Sequence, residues 1–166
     1  KQAPGVGLIS VVVMTPENIE SFLDSILEIE RGSFISPWSR NGFLQEARNP
    51  ISHLWVITDE DGAAGGYICF WMFEREIQLL NIAVHPEKRE KGFGNHLLRE
   101  MIRVGIERGM EQIGLEVRTS NIKARKLYDR LGFLAVGRRP RYYQDTNEDA
   151  IVMSLNLLNE QSAAKH

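Results

Sequence analysis

Ile82-Ala83-Val84-His85-Pro86-Glu87-Lys88-Arg89-Glu90-Lys91-Gly92-Phe93-Gly94-Asn95 reads as the end of a hydrophobic strand, a basic glycine-bearing loop and the immediate start of a helix. The first amides of a helix lack partners within it, and its dipole favours negative charge there, so such a junction suits an anion. Gly92 and Gly94 let the backbone approach a bulky anion in conformations closed to other residues. Arg89 and Lys91 supply charge. A G-x-G before a helix is also what an ordinary glycine-rich turn looks like. Two nucleotide motifs are excluded. Walker A needs G-x-x-x-x-G-K-[ST], a spacing that Gly92 and Gly94 lack. The dinucleotide fingerprint G-x-G-x-x-G needs glycine where Leu97 stands.

Working outward, Glu76 to Val84 reads as a strand with Leu80, Ile82 and Val84 on one face, ending at His85-Pro86. Before it, Leu54 to Thr58 and Gly66 to Phe73 form a hairpin around the turn Asp59-Glu60-Asp61-Gly62. Further upstream, Ile9 to Met14 is a strand. Thr15-Pro16 starts a helix carrying Ile19, Phe22, Leu23, Ile26 and Leu27 at helical spacing and ending before Gly32. Ser39 caps a short helix through Phe43, Leu44 and Ala47, which Asn49-Pro50 breaks. Downstream, Asn95 to Arg108 is a helix closed by Gly109. Gln112 to Val117 is a strand alternating Ile113, Leu115 and Val117 with Gly114 and Glu116. Asn121 to Leu131 is a helix closed by Gly132, and Phe133 to Arg138 and Ala150 to Leu157 are the last strands. The order is β-α-α-β-β-β-α-β-α-β-β. Hairpins mixed with two crossover helices predict an α/β three-layer sandwich on a mixed, mostly antiparallel central sheet, with helices on both faces.

At 166 residues, the length predicts a single domain over 1–166, with residues 1–8 and 159–166 as frayed tails. Hydrophobic content of 43% and charged content of 25% are those of a globular chain. No apolar run approaches the ~20 residues of a membrane span, and the N-terminus does not read as a signal peptide. Neither membrane nor direct nucleic-acid binding is expected, the latter because the net charge is −2. Arg138, Arg139 and Arg141, with Lys123, Arg125, Lys126 and Arg130 nearby, form a basic patch that fits a solvated surface or an anionic or charged-peptide ligand equally well. The single cysteine, Cys69, excludes an internal disulfide and suits a reducing, cytoplasmic setting. It lies in the apolar run Tyr67 to Trp71, as a buried small hydrophobe would. His53, His85, His96 and His166 show no paired ligand spacing, so no metal is expected.

Two motifs in order carry a resemblance over about Met14 to Leu157. Arg89-x-x-Gly92-x-Gly94 is similar to the [QR]-x-x-G-x-[GA] signature of the GNAT N-acetyltransferases. Asn121-x-x-Ala124-x-x-Leu127-Tyr128-x-x-Leu131-Gly132-Phe133 resembles that family's second cofactor helix, and Asn81 to Pro86 its preceding strand. Pro37-Trp38-Ser39, Leu115-Glu116-Val117-Arg118-x-Ser120-Asn121, Arg138-Arg139-x-x-Tyr142-Tyr143 and Glu148 to Met153 resemble the bacterial ribosomal-protein-alanine N-acetyltransferases more narrowly. Pro140 departs from the pattern, at a place where it bears on the acceptor loop.

The resemblance implies acetyl-CoA as co-substrate, without a metal, and direct transfer to the N-terminus of a protein, by the finer likeness a small-subunit ribosomal protein beginning with alanine. An N-terminal amine has pKa ~8, so it needs a base at neutral pH, and the leaving thiolate benefits from an acid. The resemblance implies Glu116 as the base and Tyr128 as the acid. It implies cofactor contacts from Ile82, Ala83, Val84, Arg89, Glu90, Lys91, Gly92, Phe93, Gly94, Asn95 and Asn121. It implies acceptor contacts from Trp38, Tyr142 and Tyr143. Each has a plainer reading: Glu116 as an exposed strand residue, Tyr128 as helix packing, Asn121 as a helix cap, Trp38 and the tyrosines as ordinary packed or surface aromatics. Two other functions stand beside this one, acetylation of a small amine or a lysine side chain on the same fold, and acyl-CoA binding without turnover.

Overall fold

The computed structural model describes residues 9–89 and 91–158. The expected fraying of 1–8 and 159–166, and the cofactor contact expected of Glu90, lie outside the described residues.

The elements follow the expected order. They are β1 (Ser10–Val13), a 3-10 turn (Ile19–Ser21), α1 (Leu23–Ser33), α2 (Arg40–Arg48), β2 (Ser52–Thr58), β3 (Ala64–Phe73) and β4 (Glu76–Val84). A second 3-10 turn (Pro86–Lys88) leads to α3 (Phe93–Glu107), β5 (Gln112–Arg118), α4 (Ile122–Arg130), β6 (Leu134–Tyr143) and β7 (Glu148–Asn156). The strands hydrogen-bond in the order β1-β2-β3-β4-β5-β7-β6. β4 and β5 run parallel, while β1–β2, β5–β7 and β6–β7 are antiparallel. The fold is therefore mixed α/β on a mostly antiparallel sheet.

The chain divides into two compact units, Lys1–Phe70 with Asn81–Arg99 and Trp71–Leu80 with Glu100–His166. In the first, Leu23, Ile26 and Leu27 of α1 are buried, as their spacing requires, together with Phe43, Val56, Ile57 and Tyr67. In the second, Ile113, Leu115 and Val117 bury one face of β5 while Glu116 lies on the other. There α3 comes close enough for Gly105 to lie against Ile77 and Leu157, and a Cβ at that position would meet Ile77 Cδ1 at 2.8 Å.

Several boundaries differ from expectation for local reasons. Thr15 does act as a cap, accepting from the Asn18 N–H at 3.2 Å while its own N–H donates to Asn18 Oδ1 at 2.8 Å. The Asn18 amide also donates to the Val13 carbonyl, so the capped segment is a turn, and α1 begins only at Leu23. α1 continues through Gly32, because the Phe34 N–H still reaches the Glu30 carbonyl at 3.1 Å. A mid-helix glycine costs only about 1 kcal/mol. On β4 the buried residues are Ile77, Leu79 and Ala83, while Leu80, Ile82 and Val84 form the half-buried face. α3 starts at Phe93, ahead of Asn95, and the Phe93 ring is buried.

β6 extends past Arg138 to Tyr143 and contains Pro140. It is the last strand in the order, an edge where a residue without an N–H is tolerated. The register to β7 shifts between Arg139 and Tyr143, and the Arg141 N–H donates to Asp149 Oδ1 at 2.9 Å.

Candidate active site

In the first unit, β4 ends at Val84 and the chain crosses to α3 through the basic loop. Gly92 has φ +81°, and a side chain there would meet nothing within 4 Å. The first intrahelical donor is His96, whose N–H reaches the Gly92 carbonyl at 2.9 Å. The amides of Phe93, Gly94 and Asn95 precede it and have no acceptor within the helix. Arg89 and Lys91 are exposed, and Arg89 Nη2 approaches Ser33 Oγ at 3.5 Å. Donors, cations and an open left-handed glycine fit a diphosphate group. The Phe93 side chain does not belong to that set. It is 3% exposed and faces Gly65, where an added Cβ would sit 2.2 Å from its ring. Only its backbone N–H is available to a ligand. Replacing Gly92 with Val puts a β-branched residue at positive φ, which costs on the order of 1–3 kcal/mol. The Gly92→Val protein is expected to bind coenzyme A roughly 10- to 100-fold more weakly, measured by titration calorimetry. Unchanged affinity removes this loop as the diphosphate site.

Trp38 stands just before α2, whose Ser39 cap accepts from the Gly42 N–H. The Trp38 N–H donates to Glu30 Oε2 at 2.7 Å. Glu30 is 1% exposed, and its other oxygen accepts from the Tyr67 hydroxyl and from Asn81 Nδ2 at 2.8 Å. Burial, then the Glu30 charge, hold the Tyr67 hydroxyl far above its ordinary range. The Trp38 ring packs on Phe43 (5.2 Å), and Phe43 meets Tyr67 edge-on (5.4 Å). This buried carboxylate gave no sequence signal, because it sits among the apolar positions of an amphipathic helix.

In the second unit, Glu116 is partly buried, its side chain 18% exposed. Its Oε2 accepts from Gln78 Nε2 at 2.9 Å, and its Oε1 lies 3.4 Å from Arg139 Nε. It is thus a held carboxylate, not a loose strand residue. Gln78 also lines a cleft of about 460 Å³ with Trp71, Phe73 and Glu76. Tyr128 on α4 is 6% exposed and packs on Phe133 (5.6 Å). Burial raises its hydroxyl well above the ordinary tyrosine range, so it stays protonated and able to donate. Asn121 caps α4, its Oδ1 accepting from the Ala124 N–H at 3.2 Å.

The two tyrosines separate. Tyr142 is 46% exposed, with the Arg139 guanidinium 5.7 Å from its ring centre. Tyr143 is half-buried beneath Arg118 (4.0 Å), and burial pushes its hydroxyl up to about 12. Arg118 forks onto Asp145 at 2.7 and 3.0 Å. Hydrogen bonds from Ser120 hold the Glu148 carboxyl below its usual range. Arg118 thus anchors the β6–β7 turn, a role its place in the motif did not disclose. In the basic patch, Arg138 pairs with Asp149 (2.7 Å) and Arg139 with Glu116. Cys69 is fully buried, and burial pushes its thiol up to about 12, as suits a core residue.

A mostly antiparallel sheet with a parallel pair, β4 and β5, in which β4 leads through a basic glycine-bearing loop into a helix, makes this an α/β protein of the acyl-carrier-using transferase type. A model described as the acetyltransferase (GNAT) family matches residues 23–133, and the chain belongs to that family. It is accordingly an N-acetyltransferase that uses acetyl-CoA. It is similar to a Bacillus subtilis (strain 168) protein provisionally named a ribosomal protein bS18-alanine N-acetyltransferase, 39% identical over 132 residues, 79% of this chain and 87% of the relative. The ribosomal protein bS18-alanine N-acetyltransferase of Haemophilus ducreyi is 32% identical over 142 residues, 84% of this chain and 97% of the relative. The crystal structure of the ribosomal-protein-S18-alanine N-acetyltransferase from Escherichia coli superposes with a TM-score of 0.81 at 30% identity, over 90% of this chain and 94% of that one.

Proposed function

We propose that this chain, acting as one domain over 1–166, acetylates the N-terminal amine of a ribosomal protein beginning with alanine. The observation that carries this reading is the extent of the similarity to proteins named for that activity, 84% of this chain and 97% of the Haemophilus ducreyi relative. The setting is cytoplasmic. One cysteine fits it, and no helix among the described residues is long and apolar enough to cross a membrane.

Glu116 takes a proton from the N-terminal ammonium, with Gln78 orienting the carboxylate, and the neutral amine so formed is the nucleophile. Arg139 gives up its place beside Oε1 to the amine. The nitrogen–carbonyl bond forms and the carbon–sulfur bond breaks, the Tyr128 hydroxyl supplies a proton to the departing sulfur, and the second proton lost by the nitrogen passes to solvent, from which Tyr128 regains its own. The loop amides, Arg89 and Lys91 hold the diphosphate, and backbone groups of Ile82, Ala83 and Val84 align the arm that carries the acetyl group. Trp38, and separately Tyr142 and Tyr143, are the side chains proposed to contact the acceptor.

A thiol has pKa ~8.5, so its thiolate leaves with modest help. Tyr128→Phe is therefore expected to lower kcat about 10- to 100-fold with coenzyme A affinity unchanged, followed as thiol release. An unaltered kcat excludes Tyr128 as the acid.

The function is tested by thiol release from acetyl-CoA with a peptide beginning Ala-Arg-Tyr, beside an N-terminally blocked twin that carries a free lysine. Release with the free N-terminus alone is expected. Release with both peptides means lysine or unselective acylation. Release with neither, despite coenzyme A binding, means a small-amine acceptor or a binding module.

A further inference from the structure

The run Lys88-Arg89-Glu90-Lys91 leads straight into the helix start, and by charge alone each cation in it is a candidate phosphate ligand. The structure treats Lys88 differently. Its Nζ lies 3.0 Å from Asp59 Oδ2, in a pair whose side chains are 27% and 6% exposed. The Asp59 carboxylate is oriented independently of that lysine. Its Oδ1 closes the turn between β2 and β3, accepting from the Asp61 N–H at 2.9 Å and the Ala63 N–H at 3.1 Å. The hydrogen bond from Lys88, set against burial, and the two turn amides hold the Asp59 carboxyl below its usual range. Moving Lys88 onto a phosphate leaves a nearly buried carboxylate uncompensated, which is costly.

The same hairpin grips the loop at two other points. The His85 N–H donates to the Gly65 carbonyl at 2.7 Å just before the loop, and the Phe93 ring lies against Gly65 just after it. Residues 59–65 thus hold the loop before, within and after its basic run. We infer that the Asp59–Lys88 pair is an anchor that presets the phosphate loop, with Lys88 acting as a positioning residue and not as a phosphate ligand. This rests on the reading of that loop as the coenzyme A diphosphate site. A loop already ordered spares the binding event that entropic cost.

The test is calorimetric titration of the full chain with coenzyme A at pH 7, for the wild type, Asp59→Asn, Lys88→Met and the double variant, with melting temperatures alongside. Asp59→Asn keeps the oxygen that closes the turn but sets an amide against the lysine. Each single variant is expected to bind roughly 5-fold more weakly, with the double variant no weaker than the worse single. Tighter binding by Asp59→Asn overturns the inference, since Lys88 is then a phosphate ligand that Asp59 restrains. Weaker binding by Lys88→Met with Asp59→Asn unchanged overturns it as well. Lower melting temperatures with unchanged affinities mean the pair serves the fold only. Failure of the wild type to bind coenzyme A removes the phosphate-loop reading, and this inference with it.

Discussion

Replacing Glu116 with Gln is expected to lower kcat by about 10²- to 10⁴-fold at neutral pH, the range over which a positioned base accelerates proton transfer. The substitution is close to isosteric. The new carbonyl oxygen can still accept from Gln78, so the strand and its neighbours keep their places. What disappears is the acceptor for the amine's proton and the partner of Arg139. Coenzyme A affinity is expected to stay within about 2-fold of wild type, because the loop proposed to hold the diphosphate belongs to other elements. The deficit should shrink as pH rises past the amine's own pKa of ~8, where solvent has already removed the proton. Steady-state rates with the alanine peptide from pH 6.5 to 9.5, together with calorimetry, provide the check. A variant as fast as wild type at pH 7 excludes Glu116 as the base.

Glu30→Leu carries the largest expected effect on stability, a loss on the order of 3–5 kcal/mol. The carboxylate is 1% exposed and accepts from the Trp38 amide, the Tyr67 hydroxyl and the Asn81 amide. Leucine has similar bulk but no acceptor. The Asn81 amide can still donate to the Tyr67 hydroxyl at 2.9 Å, so the Trp38 N–H and the Tyr67 O–H bear most of the unpaired cost. Against a total stability of roughly 5–15 kcal/mol this is a large fraction. It corresponds to a melting-point drop of about 10 °C for a chain of this length. Tyr67→Phe keeps the ring packed on Phe43 and removes only one donor, so about 1–2 kcal/mol is expected. Thermal and urea unfolding measure both. A Glu30→Leu protein melting within 2 °C of wild type means that the network contributes little and that Trp38 is held by its ring alone.

Element order and the glycine-bearing junction between strand and helix were legible because they rest on local physics. Period-two alternation in Ile113, Leu115 and Val117, helical spacing in Leu23, Ile26 and Leu27, and the stops at Gly109 and Gly132 each act over a few residues. The Ser39 and Asn121 caps were readable for the same reason. Glycine at positive φ before a helix is likewise a property of the backbone there, and Gly92 has it.

What a residue touches across the fold was another matter. Local pattern could name Phe93 as part of a signature but not show its ring turned onto Gly65, away from a ligand. It could not see Asp59, 29 positions earlier, claim Lys88. Gln78 became the partner of Glu116 only because β4 and β5 pair in parallel, with Gln78 opposite Gly114. Glu30 carries no signal in the sequence, and only the convergence of Trp38, Tyr67 and Asn81 on it shows what it does. Charge and hydrogen-bonding capacity are written in each residue, but pairing depends on which strands lie side by side. The sequence by itself therefore determined the elements, their order and the glycine-bearing helix start. Tertiary structure alone decided which charged and polar side chains face a ligand and which hold the framework that faces it.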